Sequence, residues 1–270
     1  MTGLQLRLRR ILSPADGRGV VIPIDHGLTM GPIDGLEDPT RAIAQIAQGG
    51  ADAVICHKGI LRSGLPSLQL GRSTGVLIHL SASTTLGPDP HGKVLVGTVE
   101  ECVRAGADGV SVHLNVGAAT EPEQFAAVGI LQGECAAWGM PLLAMMYPRG
   151  PTVRDPFAVE VVEHAARIGA ELGASVVKTV YTGDPESFRR VVRGCPVPVL
   201  VAGGPKAESD EQVLTMVQGA LEAGAAGVSI GRNVFGHVDP AAMTAALVSL
   251  VHGRIPMTDV LGQLRAARGR

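Results

Sequence analysis

One lysine of this chain lies inside an apolar, β-branched segment. Lys178 is the third residue of the run VVKTV (176–180), a pattern typical of a buried strand. Burial of an ammonium group costs free energy, so a lysine in such a place needs a partner or a chemical task. A buried amine that sheds its proton can attack a carbonyl carbon and form an imine. The alternative is a structural ion pair with an inward-facing carboxylate such as Asp25.

Two further groups follow apolar runs and suit acid–base chemistry. Asp25 ends the run VVIPID (20–25) and could hold the lysine or orient a substrate hydroxyl, while a helix cap or a loop contact is the alternative. Tyr147 precedes Pro148, which favours an extended backbone, and a tyrosine there could transfer a proton or simply close the core. Only four of the 23 basic residues are lysines, which makes each lysine informative.

The other lysines stand in different contexts. Lys58, in His57-Lys58-Gly59, is a rival nucleophile or an anion contact. Lys93 and Lys206 fall in predicted loops or helix starts, so we expect both to be solvated. Arg149, Arg62 or Lys58 could receive an acidic group of a second substrate.

Two glycine-containing segments suggest a phosphate site. Gly203-Gly204 and Gly231-Arg232 follow the last two apolar runs, where exposed backbone amides and an arginine bind phosphate in many barrels. Two tight turns are the alternative. Four histidines also end apolar runs, namely His26, His57, His79 and His113. We do not expect a metal, because no carboxylate-rich ligand set accompanies these histidines.

The elements that position these residues repeat along the chain. Eight apolar runs predict strands at 20–25, 53–57, 76–80, 109–115, 141–147, 176–180, 197–204 and 227–232. Asp-Pro pairs predict helix starts for helices at 38–49, 155–172, 184–193 and 239–252. A Gly-Ala turn precedes every second strand, in GGADAVI, AGADGVSV, LGASVVK and AGAAGVSI. This repeat favours an α/β fold consisting of a single (β/α)₈ TIM barrel, with residues 1–270 as one domain.

The remaining segments and the composition narrow the function. We expect a long functional loop at 60–75 and a terminal helix at 256–268. The net charge of −2 with scattered basic residues predicts small-molecule partners rather than nucleic acid or a membrane. The run at 4–12 lacks the apolar region of a signal peptide. The four cysteines are far apart, so we predict reduced thiols and a cytoplasmic location.

Eight segments spanning nearly the whole chain carry a family pattern. They are IPIDHGLTMGPIDGL (22–36), HKGILRSG (57–64), LIHLSAST (77–84), SVHLNVG (111–117), WGMPLLAMMYPRG (138–150), HAARIGAELGASVVKTVYTGD (164–184), GCPVPVLVAGGPK (194–206) and AGAAGVSIGRNVF (223–235). Together these segments resemble the archaeal-type class I fructose-bisphosphate aldolase family. The similarity is greatest to its branch of 2-amino-3,7-dideoxy-D-threo-hept-6-ulosonate synthases.

The resemblance implies a barrel enzyme that forms a Schiff base and needs neither a metal nor a cofactor. It places the imine on Lys178, the proton donor on Tyr147 and the catalytic carboxylate on Asp25. The further substrate contacts that it implies are His26, Gly27, Leu28, Thr29, Pro148, Arg149, Gly203, Gly204, Gly231 and Arg232. Family members are often large rings, so the resemblance also implies a homo-oligomer, such as a decamer.

The branches of this family differ in their substrates. The hypothesis that we adopt is transfer of a three-carbon unit from a phosphorylated ketose to L-aspartate semialdehyde. Cleavage of fructose 1,6-bisphosphate is an alternative, although that branch tends to carry tryptophan where this chain has Met145. A third branch condenses dihydroxyacetone phosphate with aspartate semialdehyde in secondary metabolism. A thiolase branch lacks the YPRG segment (147–150), and a non-catalytic barrel would not need both Lys178 and Tyr147.

Overall fold

The computed structural model describes residues 2–64, 74–253 and 255–268, and its centre is a closed parallel barrel. The neighbour order is β1-β10-β9-β8-β7-β6-β3-β2, and β1 also pairs with β2. The strands are β1 (Gly19–Pro23), β2 (Ala53–Cys56), β3 (Gly75–His79), β4 (Ser81–Ala82), β5 (Val94–Leu95), β6 (Gly109–Val116), β7 (Leu142–Pro148), β8 (Val176–Thr179), β9 (Val199–Ala202) and β10 (Gly227–Ser229). The predicted (β/α)₈ barrel is therefore confirmed.

Helices surround the barrel. They are α1 (Gly3–Leu8), α2 (His26–Met30), α3 (Pro39–Gln48), α4 (Lys58–Gly64), α5 (Val99–Arg104), α6 (Glu121–Trp138), α7 (Val159–Glu171), α8 (Pro185–Gly194), α9 (Asp210–Glu222), α10 (Arg232–Phe235), α11 (Pro240–Val251) and α12 (Met257–Arg268). The terminal helix is thus confirmed, and no helix in the described ranges is long and apolar enough to cross a membrane.

Three of the four Asp-Pro helix starts are confirmed. The carboxylates of Asp38, Asp184 and Asp239 accept hydrogen bonds from backbone amides in the first turn of α3, α8 and α11, which stabilises each helix by about 1 kcal/mol. The fourth prediction is wrong, because α7 begins only at Val159. Asp155 instead accepts from the Phe157 amide at 2.8 Å and closes a turn outside the helix.

The repeated Gly-Ala turns adopt the same backbone conformation before β2, β6, β8 and β10. Their glycines have φ between 79° and 98°, a left-handed conformation that side-chain-bearing residues rarely adopt. The four are Gly50, Gly106, Gly173 and Gly224. The repeat read in the sequence is therefore a repeated helix-ending turn.

Alternation along the strands separates the barrel interior from the layer beneath the helices. In β8, Val177 packs in the outer layer, whereas Val176 belongs to the interior cluster with Leu143, Met145 and Leu200. Because successive side chains of a strand point to opposite faces, Lys178 shares the interior side with Val176. The same alternation in β7 places Tyr147 above Met145 on the interior side.

The N-terminal segment closes the bottom of the barrel. Ile11 and Leu12 belong to the interior cluster. A Cβ on Gly19, at the start of β1, would lie 2.5 Å from the carbonyl oxygen of Ile11, and one on Gly75, at the start of β3, would lie 2.4 Å from that of Arg10. Only glycine leaves room for the backbone that crosses these strand starts.

The loops above the barrel differ from the prediction in one place. The predicted loop at 60–75 begins as helix, because α4 runs to Gly64, and residues 65–73 lie outside the described residues. A separate antiparallel ribbon of β4 and β5 follows β3, with Ser81 opposite Leu95 and Ala82 opposite Val94. The intervening loop, 83–93, lies at the carboxyl end of the barrel strands.

Candidate active site

The interior alternation brings the predicted polar residues together at the carboxyl ends of the strands. In the strand register, Met145 of β7 pairs with both His113 of β6 and Lys178 of β8. Tyr147 pairs with Asn115 one pleat further along β7. Lys178 therefore lies one layer below Tyr147, at the level where the apolar interior gives way to polar groups.

Lys178 is buried, with 6% of its surface exposed. Its Nζ lies 4.0 Å from Sδ of Met145. The alternative of a structural ion pair with Asp25 is not observed, since Lys178 makes no ion pair with any residue that the structure describes. An amine surrounded by apolar groups and free of a carboxylate contact is available to react.

Asp25 follows β1 at the N-terminus of α2, but its side chain does not cap that helix. Its two carboxylate oxygens instead lie 3.6 Å from Nδ1 of His26 and 3.6 Å from Nε2 of His79. Burial raises the pKa of Asp25, but the facing histidines and Lys178 outweigh burial and hold this pKa well below its usual range. Asp25 is therefore a carboxylate that interacts electrostatically with Lys178 without forming an ion pair with it.

The histidines around Asp25 are neutral at pH 7. Burial lowers the pKa of His79 to about 4 against the opposing effect of Asp25, and it also lowers the pKa of His26 and of His57. Nδ1 of His79 lies 2.8 Å from Oγ of Ser111, which continues the polar chain into β6. Neutral imidazoles leave the Asp25 carboxylate as the negative charge at this depth.

Tyr147 lies between an imidazole and a guanidinium. Its ring centroid is 4.8 Å from that of His113, and the guanidinium carbon of Arg149 lies 4.7 Å from the ring centre on which it stacks. Burial, and then the charges of Lys93 and Arg149, hold the pKa of His113 well below its usual value. His113 Nε2 is held 2.9 Å from Oδ1 of Asn115, so the ring that supports Tyr147 is itself fixed.

A cavity of about 390 Å³ opens in front of these groups. Its lining residues include most of the predicted contacts, namely His26, Tyr147, Pro148, Arg149, Lys178, Gly203, Gly204, Gly231 and Arg232. Larger clefts, such as one of about 750 Å³ between α8 and α9, lie outside the barrel and away from Lys178. The cavity brings the lysine and the glycine segments into one site, as the sequence predicts.

The phosphate-binding prediction rests on one wall of this cavity. Gly204 has φ 64° and leaves open space where a Cβ would stand. Gly231 caps α10, whose first residue is Arg232. Burial lowers the pKa of Arg232, but an arginine keeps its charge at neutral pH. An open glycine at 204, a second glycine in the lining and one cation on a single wall suit an anion, and this role stays a prediction.

Some predicted residues do not line the cavity. Gly27, Leu28 and Thr29 belong to α2 at its edge, where the carbonyl oxygen of Thr29 accepts a hydrogen bond from the Thr85 amide at 3.0 Å. Asp25 also lies outside the lining set, beneath His26.

Six residues that line the cavity are not among the predicted site residues, and Pro156, Phe157 and Ser229 are three of them. Pro156 and Phe157 belong to the segment read as helix, and they form part of the cavity wall instead. Ser229 of β10 is fully buried and its Oγ has no hydrogen-bond partner among the described residues. The signal that could have identified Ser229 is strand alternation: Val228 packs in the outer layer, so the next side chain points into the barrel.

Lys58, Lys93 and Tyr181, two of the other lysines and the second tyrosine, do not line the cavity. Lys58 pairs with Glu101, 3.0 Å from Oε2, so it is not free to act as the nucleophile. The prediction that Lys93 is solvated is wrong, because its side chain is half-buried and donates to Oγ of Ser83 at 2.6 Å. Tyr181 packs edge-on against Phe188, with ring centroids 5.2 Å apart, and does not line the cavity. Within the described ranges, no group of three or more His, Cys, Asp and Glu is arranged to hold a metal ion.

Comparison with known families agrees with this geometry. A family model described as DeoC/LacD family aldolase matches residues 19–237. The chain belongs to the DeoC/LacD family of aldolases. The prediction of an aldolase and of an enzyme is therefore confirmed.

Two named relatives cover nearly the whole aldolase chain. The 2-amino-3,7-dideoxy-D-threo-hept-6-ulosonate synthase of Halobacterium salinarum is 47% identical over 93% of this chain and 92% of the relative. The 2-amino-4,5-dihydroxy-6-oxo-7-(phosphonooxy)heptanoate synthase of Streptomyces griseus is 42% identical over 98% of this chain and 94% of the relative.

Solved structures are similar as well. An archaeal fructose 1,6-bisphosphate aldolase matches with a TM-score of 0.84 and 34% identity over 93% of this chain and 99% of that one. Another such aldolase, described with its catalytic lysine covalently bound to a carbinolamine intermediate, has a TM-score of 0.81 and 33% identity over 92% of this chain and 99% of that one. The predicted resemblance to class I aldolases is confirmed by these matches.

Proposed function

We propose that this aldolase transfers a three-carbon unit from a phosphorylated ketose to L-aspartate semialdehyde through an imine on Lys178. The observation that carries the proposal is the position of Lys178, which lines the same cavity as Gly204, Gly231 and Arg232 without an ion-pair partner among the described residues. The names of the relatives from Halobacterium salinarum and Streptomyces griseus support a seven-carbon amino-acid product.

In the first half-reaction, the neutral amine of Lys178 adds to the ketone carbon of the donor. Loss of water from the resulting carbinolamine gives an iminium, which accepts the electron pair released when the adjacent carbon–carbon bond breaks. Tyr147 gives its proton to the hydroxyl that leaves as water, and the resulting phenolate accepts the hydroxyl proton of the departing carbon as an aldehyde fragment leaves. The three-carbon enamine remains bound to the enzyme.

In the second half-reaction, the enamine carbon attacks the aldehyde carbon of the acceptor. Tyr147 returns the proton to the oxygen that becomes the new hydroxyl. Water then adds to the iminium, and the product ketone leaves as the Lys178 amine is restored. No oxidant or reductant is required, because each bond broken is balanced by a bond formed.

Asp25 and its histidines prepare this chemistry. The Asp25 carboxylate stabilises the cationic iminium through space, and the imidazoles of His26 and His79 flank it, each with a ring nitrogen 3.6 Å from a carboxylate oxygen. A fixed negative charge aimed at a developing positive one lowers the barrier without reorganisation during the reaction. Asp25 therefore acts on the lysine and on donor hydroxyls.

The donor phosphate binds at the wall formed by Gly203, Gly204, Gly231 and Arg232. This anchor fixes the distance between the phosphate and the ketone carbon, so that the ketone meets Lys178. Ser229, with its unpartnered hydroxyl in the same cavity, donates a hydrogen bond to an oxygen of the three-carbon unit. The site thus positions the donor from both ends.

Borohydride trapping tests the imine. The enzyme is incubated with dihydroxyacetone phosphate or fructose 1,6-bisphosphate and reduced, and the modified peptide is mapped by mass spectrometry. We expect the adduct on Lys178, and an adduct on Lys58 or on no residue would overturn the mechanism.

A second candidate function is condensation of dihydroxyacetone phosphate with aspartate semialdehyde, which the 42% identity to the Streptomyces griseus synthase favours. Turnover with each donor, with and without aspartate semialdehyde, separates the possibilities. Product formation only when the acceptor is present indicates transfer or condensation, and cleavage of fructose 1,6-bisphosphate without it indicates a lyase. We further propose a role in the biosynthesis of aromatic amino acids. We also propose that the enzyme is a homo-oligomer, and light scattering, which measures the molar mass in solution, tests this second proposal.

A further inference from the structure

Lys93 has a defined place above the barrel that the reaction scheme does not use. It ends loop 83–93 just before β5, and its half-buried Nζ donates to Oγ of Ser83 at 2.6 Å. Ser83 in turn donates to the carbonyl oxygen of Pro90 at 2.7 Å. The amine is therefore held by its own loop and keeps two of its three N–H donors for another partner.

Loop 83–93 is tied to the barrel mouth on two sides. The carbonyl oxygen of His91 accepts hydrogen bonds from the side-chain amides of Asn115 and Gln124, both at 2.9 Å. At the other end, the Thr85 amide donates to the carbonyl oxygen of Thr29 at 3.0 Å. These anchors fix the loop between β6 and α2, so the position of Lys93 is set before any ligand arrives.

The charge of Lys93 has no matching carboxylate in contact with it. Lys93 makes no ion pair with any residue in the described part of the chain. Burial, and then the positive charge of Arg149, lower the pKa of Lys93, and the negative charge of Asp25 only partly opposes them. The loop that carries Lys93 is bonded to Asn115, which contacts His113, and Arg149 stacks on Tyr147 beside the same imidazole. An anion bound by both cations would offset their repulsion and the cost of burial.

Arg149 lines the same cavity as the phosphate wall, whereas Lys93 is not among the lining residues and belongs to the loop bonded to β6. Lys93 and Arg149 are associated with β5 and the end of β7, whereas Gly204 and Gly231 follow β9 and β10. The charge of Lys93 also reaches His113, where it adds to burial in lowering the pKa of that imidazole. The barrel mouth therefore has one anion-binding wall for the donor and a second cationic edge beside Tyr147, where the acceptor aldehyde must receive its proton.

We propose that Lys93, together with Arg149, binds the α-carboxylate of the acceptor amino-acid aldehyde and thereby selects acidic acceptors. The inference rests on the proposed function, because it names the residue that recognises the second substrate of that same site. Lys93 contacts the substrate through a charge-assisted hydrogen bond and takes no part in making the carbon–carbon bond.

Steady-state kinetics with two acceptors test the assignment. L-Aspartate semialdehyde carries the carboxylate, and butanal has the same chain length without it. In Lys93→Met we expect the KM for aspartate semialdehyde to rise about 10–100-fold, with kcat little changed and butanal unaffected, and we expect Lys93→Arg to recover most of the loss. Lys58→Met is the matched control, because it removes a half-buried lysine that Glu101 already neutralises. An equal effect on both aldehydes, or none on the acidic one, overturns the inference.

A binding measurement keeps this test separate from the proposed function. L-Homoserine has the skeleton of aspartate semialdehyde with an alcohol in place of the aldehyde, and calorimetry measures its binding without turnover. We expect the wild-type enzyme and Lys58→Met to bind it and Lys93→Met to lose at least about tenfold in affinity. If homoserine binds through Lys93 but aspartate semialdehyde is not turned over, the proposed function fails and the subsite stands. If the wild-type enzyme does not bind homoserine, the subsite fails.

The reaction with the donor shows whether the Lys93→Met substitution merely disturbs the structure of the site. Borohydride trapping with dihydroxyacetone phosphate depends on Lys178 and the phosphate wall, so Lys93→Met must retain wild-type trapping. Loss of trapping together with acceptor binding would show that the substitution disturbs the site as a whole, and the assignment to acceptor recognition would then be wrong.

Discussion

Lys178 and Met145 are paired neighbours on β8 and β7, and the lysine Nζ lies 4.0 Å from the methionine Sδ. A thioether accepts hydrogen bonds only weakly, so this contact does not stabilise an ammonium as a carboxylate would. The carboxylate of Asp25 acts on Lys178 from a distance greater than an ion-pair contact. The arrangement keeps the amine available and places the negative charge where an iminium forms.

Replacement of the buried amine tests its role directly. In Lys178→Met, a chain of similar length without nitrogen fills the same space, so the fold is retained. We expect activity to fall by at least about a thousandfold and the borohydride adduct to disappear. Rate measurements, trapping and circular dichroism check this expectation, and a residual adduct at wild-type level would assign the imine elsewhere.

Tyr147→Phe removes a hydroxyl and leaves the ring that stacks between His113 and Arg149. Because Tyr147 transfers a proton in both half-reactions, we expect kcat to fall about 10²–10⁴-fold, while the donor still forms a trappable imine. Tyr181→Phe is the matched control, since Tyr181 packs against Phe188 outside the cavity. Similar kcat values for the two variants would contradict the assignment of Tyr147.

Ser229→Ala separates binding from stability. The hydroxyl of Ser229 is buried and has no partner in the described part of the chain, so its removal should leave the free energy of unfolding unchanged or raise it by up to about 1 kcal/mol. The donor KM should rise about threefold to tenfold, as expected for loss of one neutral hydrogen bond.

A paired hydroxyl provides the comparison for Ser229. Thr244 Oγ1 donates to the carbonyl oxygen of Pro240 at 2.7 Å in an equally buried place. Thr244→Val should therefore lower the free energy of unfolding by about 1 kcal/mol without changing the donor KM. Urea unfolding and steady-state kinetics on both variants check the pair, and destabilisation of Ser229→Ala would show that its hydroxyl already has a structural partner.

The bottom of the barrel should show pH-dependent stability. The ring nitrogens of His252 lie 2.9 Å from Oδ2 of Asp16 and 2.9 Å from Oδ2 of Asp52. The hydrogen bond to Asp52 is the largest of the effects that raise the pKa of His252 to about 9, against the opposing effect of burial. Because folding raises this pKa, the stabilisation is complete below about pH 6.5, the usual value for histidine, and is lost as the pH rises towards 9.

His252→Gln tests that dependence. Relative to wild type, the variant should lose about 1–2 kcal/mol of unfolding free energy at pH 6 and much less at pH 9.5. Urea unfolding at both pH values measures the difference. His164→Gln, at an exposed position of α7, serves as the control, and a loss that is the same at both pH values would mean that the His252 charge does not contribute.

Local sequence patterns were sufficient for the elements of the barrel. β-Branched runs, Asp-Pro helix starts and Gly-Ala turns act over a few residues, so eight strands and three of four helix starts could be read directly. The Asp155-Pro156 pair misled the reading because a helix cap and an isolated turn use the same side-chain acceptor. Only the packing of α7 decides that the helix begins later, at Val159.

The sequence predicts those parts of the candidate site whose positions follow from alternation along a strand. Lys178 and Tyr147 lie two residues beyond the interior positions Val176 and Met145, and that period places both in one cavity. The tertiary structure alone decided which charges meet across strands. It paired Lys58 with Glu101, 43 residues away, and left Lys93 half-buried beside the mouth, because the loop that holds Lys93 is fixed by hydrogen bonds to β6, α6 and α2 that no local pattern encodes.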